Sequence, residues 1–318
     1  MFFLSRSRST AVDDLEVLTY DEQYRQRTIT NIQRHVIPSR VGVPLGELEL
    51  YLDQITKWRT GSAVTIKEAA NGTQFRMILE PKDTCEGHVF LLVYIHTSPE
   101  HVERRDIIRR SWGNVSLYLD GSVRRVFVLG QTANTTLRQQ LDLEFRLHED
   151  LLQEDFIDSY FNMTVKAVIS LKWISSRCRY SRFVLKTDDD AFVNMFSLLE
   201  ILSSKQLFNE HGSERTLMCN WWTDHEVEVA REGKWNIHVN QWRYRNWPPF
   251  CQGLAFVMST DLVIDLYRAS FQVPFLRLDD LFLTGLVPLG LSNHLNIVKL
   301  NSRYVDANDL KYSFNGQD

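Results

Sequence analysis

The chain has 318 residues, 44% of them hydrophobic and 24% charged, which is enough to bury one large core or two smaller ones and rules out a disordered polymer. Its formal charge of −4 arises from mixed signs along the whole chain, so the basic footprint of a nucleic-acid binder is missing and a neutral partner such as a carbohydrate fits better. No apolar run approaches the roughly 18 residues that cross a bilayer, and Met1-Phe-Phe-Leu4 is too short for a signal sequence.

Residues 1–84 are polar and weakly patterned. The arginine-rich stretch 24–40 and the Gly/Pro-marked Val41-Gly-Val-Pro-Leu-Gly46 read as an N-terminal stem and linker with little core. The folded domain is expected over 85–318. Val89-Phe-Leu-Leu-Val-Tyr-Ile95 is a continuous β-prone run of the kind buried on both faces of a parallel sheet, and similar runs recur at 125–129, 183–185 and 254–258. Between the first two, Ser98 reads as an N-cap with Pro99 at the first helical position, opening a helix that runs through Trp112. Before the third, Val165, Val168, Ile169 and Trp173 recur at helical spacing from near Tyr160 and predict a largely buried helix. Alternating strands and helices predict an α/β domain with a mainly parallel sheet, whose ligands sit beyond the carboxyl ends of the strands.

Cys85, Cys178, Cys219 and Cys251 have no CxxC spacing, so a zinc ribbon or thioredoxin-type site is not supported, and two disulfides in any of three pairings or four free thiols remain open. Sequons at Asn71, Asn114, Asn134 and Asn162, with an even cysteine count, point to the secretory pathway. Eight tryptophans include Trp221-Trp222 and the Trp242 to Trp247 cluster, which read either as sugar-stacking platforms or as core.

The residues richest in chemistry are Phe183-Val-Leu-Lys-Thr-Asp-Asp-Asp190, where an apolar strand ends in three carboxylates. Alternate residues of an extended segment share a side, so Asp188 and Asp190 can offer oxygens to one Mg²⁺ or Mn²⁺ while Asp189 faces elsewhere. The competing reading is a solvated acidic turn. A second acidic pair, Asp279-Asp280, precedes an apolar helical stretch and reads either as a helix cap or as the general base of a glycosyl transfer. Arg104, Arg105, Arg109 and Arg110 match phosphate oxygens in kind, although most of them are expected to be solvated charges on a helix face. The nine histidines contain no HExxH, and neither GxGxxG nor a Walker pattern is present, so a zinc hydrolase and a P-loop enzyme are unsupported.

Taken in order, these segments resemble the β1,3-galactosyltransferase family, which includes N-acetylglucosaminyl- and N-acetylgalactosaminyltransferases and is related to Fringe. Arg104-Arg-Asp-Ile-Ile-Arg-Arg-Ser-Trp-Gly113 is similar to RRxxIRxTWG, Val126-Phe-Val-Leu-Gly130 to the FLLG strand, and Glu154 to Lys166 to DFxDSYxNLTxK. Lys186-Thr-Asp-Asp-Asp-Ala-Phe-Val193 resembles KxDDDxFV, Trp247-Pro-Pro-Phe-Cys-Gln-Gly253 resembles YPPYCSG, and Asp279-Asp280 the EDVY/F pair. The resemblance implies a GT-A type nucleotide-sugar-binding domain, a mainly parallel mixed sheet flanked by helices, acting as an inverting transferase over 85–318. It implies Asp280 as catalytic base and Asp190 with Asp188 as ligands of Mn²⁺ or Mg²⁺, and the donor contacts are assigned to Arg104, Arg109, Lys186, Asp188 and Asp189. The expected reaction moves a hexose, galactose first, from a UDP-sugar to the 3-hydroxyl of an acceptor glycan in the Golgi lumen, with no nucleic acid involved and membrane association only through an anchor absent from this chain. Three departures stand out: Gln252-Gly-Leu-Ala-Phe256 replaces the family's SGGGY, the late metal-binding histidine is not evident around 303–306, leaving His294 as a substitute, and Asp279 stands where Glu is usual. The alternative is a non-catalytic carbohydrate-binding or scaffold protein that keeps the fold.

Overall fold

The computed structural model describes residues 16–20, 75–118, 121–204, 214–222, 227–239, 241–242, 244–291, 295–300 and 305–306. Nine strands form one mixed sheet: β1 (Glu16–Tyr20), β2 (Met77–Leu79), β3 (Leu91–His96), β4 (Val123–Gln131), β5 (Leu151–Ile157), β6 (Phe183–Asp188), β8 (Thr216–Trp222), β9 (Phe250–Ser259) and β10 (Leu295–Lys299). The order is β1-β10-β8-β9-β6-β3-β4-β5-β2, and a separate pair joins β11 (Val305–Asp306) to β7 (Phe192–Val193). The pairings leave six of the nine strands running the same way, with β1, β9 and β2 opposed. Two of these strands, β1 and β2, come from the stretch expected to be stem and linker, and each pairs at an edge of the sheet.

The apolar run of β3 shows why the centre is buried on both faces. Leu91, Val93 and Ile95 enter one core cluster with Ile108 and Trp112 from the α1 side, while Leu92 and Tyr94 enter the other with Ala167 and Leu171 of α3. A period-two alternation with no polar face leaves no side of the strand for water. Helices α1 (Val102–Arg110), α2 (Thr135–His148) and α4 (Met195–Leu202) cover the first face; α3 (Met163–Arg177) and α5 (Thr260–Ser270) cover the second.

Helix α1 begins at Val102, later than Ser98 predicted. The Ser98 carbonyl accepts from His101 N at 3.0 Å and from the buried Arg105 Nη1 at 2.6 Å, so Ser98-Pro99 forms a turn and His101 becomes the cap. The predicted α3 is buried as expected over Val165, Val168, Ile169 and Trp173, preceded by a 3₁₀ turn at Tyr160–Asn162. The cysteines form two disulfides, Cys85–Cys178 and Cys219–Cys251. The first ties the approach to β3 to the end of α3; the second joins β8 to β9.

Candidate active site

The acidic run lies at the carboxyl end of β6, between β3 and β9, where the strand order places ligands in an open α/β sheet. A cavity of about 440 Å³ opens there, lined among others by Lys186, Asp188, Asp190, Gly253, Asp279 and Asp280. Two segments separated by some ninety residues of sequence therefore meet in one pocket.

The three aspartates divide as expected, although the strand ends at Asp188 and Asp189 and Asp190 stand in the turn that follows. Asp188 and Asp190 line the cavity, whereas Asp189 turns back into the protein. It accepts from Thr97 Oγ1 at 2.6 Å and Arg104 Nη1 at 2.9 Å, and meets His101 Nδ1 at 2.7 Å. Burial works against its charge, but the bonds from His101, Thr97 and Arg104 outweigh it and hold the carboxyl below the usual range. Asp189 thus pins the end of β6 to the β3–α1 connection.

Lys186 is fully buried under the pocket. Its Nζ donates to Asp188 Oδ1 at 2.8 Å and to the Gly253 carbonyl at 2.7 Å, and lies 3.5 Å from Asp279 Oδ2. Burial pushes the Asp188 carboxyl up to about 7, opposed by Lys186 and reinforced by Asp279. Two hard oxygen donors sharing a pocket with one lysine suit a divalent cation completed by substrate phosphates, since Mg²⁺ and Mn²⁺ are commonly held by one or two protein carboxylates. Among the described residues no cluster of three or more Asp, Glu, His or Cys is arranged to hold a metal by itself, and His294 lies outside them.

Asp280 is a helix cap and also lines the pocket. Its Oδ1 accepts from Leu281 N at 2.8 Å and starts the single-turn π-helix Leu281–Leu286. Its Oδ2 stays at the pocket, so close to β9 that a Cβ built on Gly253 would lie 2.6 Å from it. Burial first, then the neighbouring Asp279, raises its carboxyl to about 6. Asp279 Oδ2 has no hydrogen-bond partner; it lies 3.7 Å from His96 Nδ1, whose ring has both nitrogens buried and unbonded.

The arginines sort differently from the expectation of solvated helix charges, which holds for Arg110 but not for Arg105 or Arg109. Arg105 binds Glu144 through Nε and Nη2, both at 2.8 Å, and Arg109 binds Asp150 at 2.9 and 2.7 Å and Glu144 at 2.6 Å. Arg109 also stacks over the Phe127 ring. These two, with α2 supplying Glu144, form a buried ionic layer that reaches Asp189 through Thr97. Neither Arg104 nor Arg109 lines the pocket, so of the expected donor contacts only Lys186 and Asp188 are brought there. The Glu154–Lys166 segment is divided: Lys166 Nζ donates to Thr97 O at 2.6 Å and Asp158 Oδ1 at 3.0 Å as scaffold, while Tyr160 and Met163 line the pocket. Gly130 has no room for a side chain, because a Cβ would meet Phe156 O at 2.6 Å.

The replaced glycine stretch adds one side chain, Leu254, to the cavity wall. Gly253 and Leu254 line it, while Ala255 and Phe256 are buried on opposite faces of β9 in the two cores. The tryptophans weighed as platforms turn out as core, with Trp221, Trp242 and Trp247 each at most 4% exposed, Trp247 also forming part of the pocket wall. Residues that sequence reading passed over, Trp235, Lys234 and Arg277, line the rim instead. Their only sequence signal was an aromatic residue set among polar ones, which a burial pattern cannot distinguish from an ordinary loop.

A family model described as Galactosyltransferase matches residues 103–296, more than half of the chain. Beta-1,3-galactosyltransferase 5 of Mus musculus is 31% identical over 194 residues, covering 61% of this chain and 61% of that protein. Beta-1,3-galactosyltransferase 1 of Homo sapiens is 29% identical over 213 residues, covering 67% of this chain and 64% of that protein. The chain thus spans less than two thirds of the length of these relatives. With the matched region running from α1 to β10 and containing both acidic segments of the pocket, the chain belongs to the galactosyltransferase family.

Proposed function

We propose that this chain transfers a hexose, galactose first, from a UDP-sugar to the 3-hydroxyl of an acceptor glycan, with inversion and with a divalent cation. The observation that carries the reading is the convergence, in one cavity, of the carboxylates Asp188 and Asp190 with the separate carboxylate Asp280. An inverting transfer needs those two functions apart: counter-charge for the departing diphosphate and a base on the attacking side.

Asp280 is the base. Its carboxyl, raised to about 6, is ionised at neutral pH yet basic enough to take the acceptor hydroxyl's proton as the oxygen attacks. The bond from Leu281 N holds Oδ1 and leaves Oδ2 to receive that proton. Asp188 and Asp190 hold the cation, which when bound supplies Lewis-acid stabilisation of the diphosphate. Lys186 keeps Asp188 oriented and offsets part of the negative charge of the pocket floor. In this reading Asp189, Arg104 and Arg109 act on the donor indirectly, by fixing the end of β6.

The alternative, a non-catalytic carbohydrate-binding or scaffold protein, rests on the altered glycine stretch and on the late histidine not being evident in the sequence, where His294 lies outside the described residues. Two of the side chains in that stretch, Ala255 and Phe256, pack into the core, which favours the enzyme. A luminal, Golgi setting is supported by the two disulfides, which persist in oxidising compartments, and by an exposed sequon at Asn134; Asn71 lies outside the described residues. No helix among the described residues is long and apolar enough to cross a membrane. The test is calorimetric binding of UDP and a panel of UDP-sugars with Mn²⁺ and then with EDTA. Metal-dependent binding that disappears in Asp190→Ala is the expected result, and no binding under any condition would return the reading to the non-catalytic alternative.

A further inference from the structure

Three of the sequons fall among the described residues, and the fold treats them differently. At Asn162 the side-chain Nδ2 donates to the Ile157 carbonyl at 2.9 Å, and the hydroxyl of Thr164 is buried on the Leu276 carbonyl at 2.6 Å. At Asn114 the half-buried side chain accepts through Oδ1 from Ser116 N at 3.3 Å and from Ser116 Oγ at 2.7 Å, so the asparagine and the hydroxyl of that sequon are tied to each other. Asn134-Thr-Thr136 is, among the described residues, the sequon in which all three positions are exposed.

Asn134 also has a structural task, as the N-cap of α2. Its Oδ1 accepts from Thr136 N at 3.0 Å and from Leu137 N at 3.2 Å. An asparagine cap works through the amide oxygen, and the amide nitrogen takes no part in it. The two ends of one side chain are therefore free for two uses, the oxygen for the helix and the nitrogen for a covalent partner. Resting on the luminal setting above, we propose that Asn134 carries an N-linked glycan and that the glycan leaves the helix cap intact. In the transfer Nδ2 loses one proton and bonds to the anomeric carbon of an oligosaccharide, whose polyprenyl diphosphate departs. The amide oxygen is untouched and still accepts from the first turn of α2. Asn134 follows the carboxyl end of β4, which runs parallel to β3 and β6, so the glycan stands on the same edge of the sheet as the candidate pocket, two strands from β6, without lining it.

The test isolates the natural gene product from eukaryotic cells and maps its tryptic peptides by mass spectrometry, before and after peptide N-glycosidase F, which turns a glycan-bearing asparagine into aspartate. Residues 126–138 form one such peptide, holding Asn134 and no other sequon. The expected result is that this peptide appears at its bare mass only after the enzyme, with aspartate at position 134, and that Thr136→Ala abolishes the glycan. An unmodified Asn134 in a chain whose disulfides have formed overturns the site. Four free thiols with no glycan at any sequon sink the luminal setting, and the glycan with it. The cap is read from thermal midpoints. Wild type bearing its glycan should melt no lower than Thr136→Ala, which keeps the asparagine bare, and Asn134→Ala should melt about 2–4 °C below both. A glycosylated wild type that melts as low as Asn134→Ala overturns the claim that the cap survives modification.

Discussion

At the scale of single residues, the proposed reading gives the pocket carboxylates Asp188, Asp190 and Asp280 separate tasks, which their surroundings make testable. Burial first, and then Asp279, raise the Asp280 carboxyl to about 6. In the proposed role of base it would work only when ionised, so kcat/KM should fall as pH drops through about 6 and level off above it, a profile read directly from initial rates in the presence of saturating cation. Asp280→Asn keeps the size and the bond from Leu281 N but cannot accept the proton; a loss of about 10²–10⁴-fold in kcat with UDP affinity retained is expected. Equal loss of UDP binding would show that Asp280 serves the donor instead. Gly253 is the companion test. Because its missing Cβ is what lets Asp280 Oδ2 approach to 2.6 Å of that point, Gly253→Ala should displace the base and lower kcat without unfolding the sheet, measured as rate against thermal midpoint.

Among the elements, what matters is how the end of β6 is held. The path runs from Asp150 and Glu144 through Arg109 and Arg105 to Thr97 and then Asp189, all buried. Removing one partner of such a layer leaves charge without compensation in the interior, so Arg105→Met should cost about 3–5 kcal/mol in urea unfolding. A change of under about 1 kcal/mol would mean that Arg109 alone satisfies Glu144. These residues read from sequence as phosphate binders or surface charges because an arginine's type is visible in sequence and its partner is not. Glu144 comes from α2 and Asp150 from the turn before β5, 39 and 41 residues from Arg105 and Arg109.

For the molecule as a whole, Cys85–Cys178 ties the approach to β3 to the end of α3, and Cys219–Cys251 staples β8 to the strand that carries Gly253. Replacing both of its cysteines by serine should lower stability by about 2–4 kcal/mol, measured by chemical denaturation beside wild type under non-reducing conditions. An unchanged denaturation midpoint would show that strand pairing alone holds β9.

The α/β class, the strand runs at 89–95 and 183–185, the buried α3 and the family itself were legible in the sequence, because periodicity and ordered local motifs are carried by neighbouring residues. The division of the three aspartates follows the sequence expectation, although the strand ends at Asp188 and the turn that follows it places Asp189 and Asp190. Other features came only from tertiary structure. These include the antiparallel β9, the pairing of the cysteines, the meeting of Asp280 with Gly253, the burial of Arg105 and Arg109, and the exposure of Trp235. Each depends on which distant segment lies alongside, and contacts between remote residues follow from how the whole sheet is ordered and packed, which no local pattern encodes.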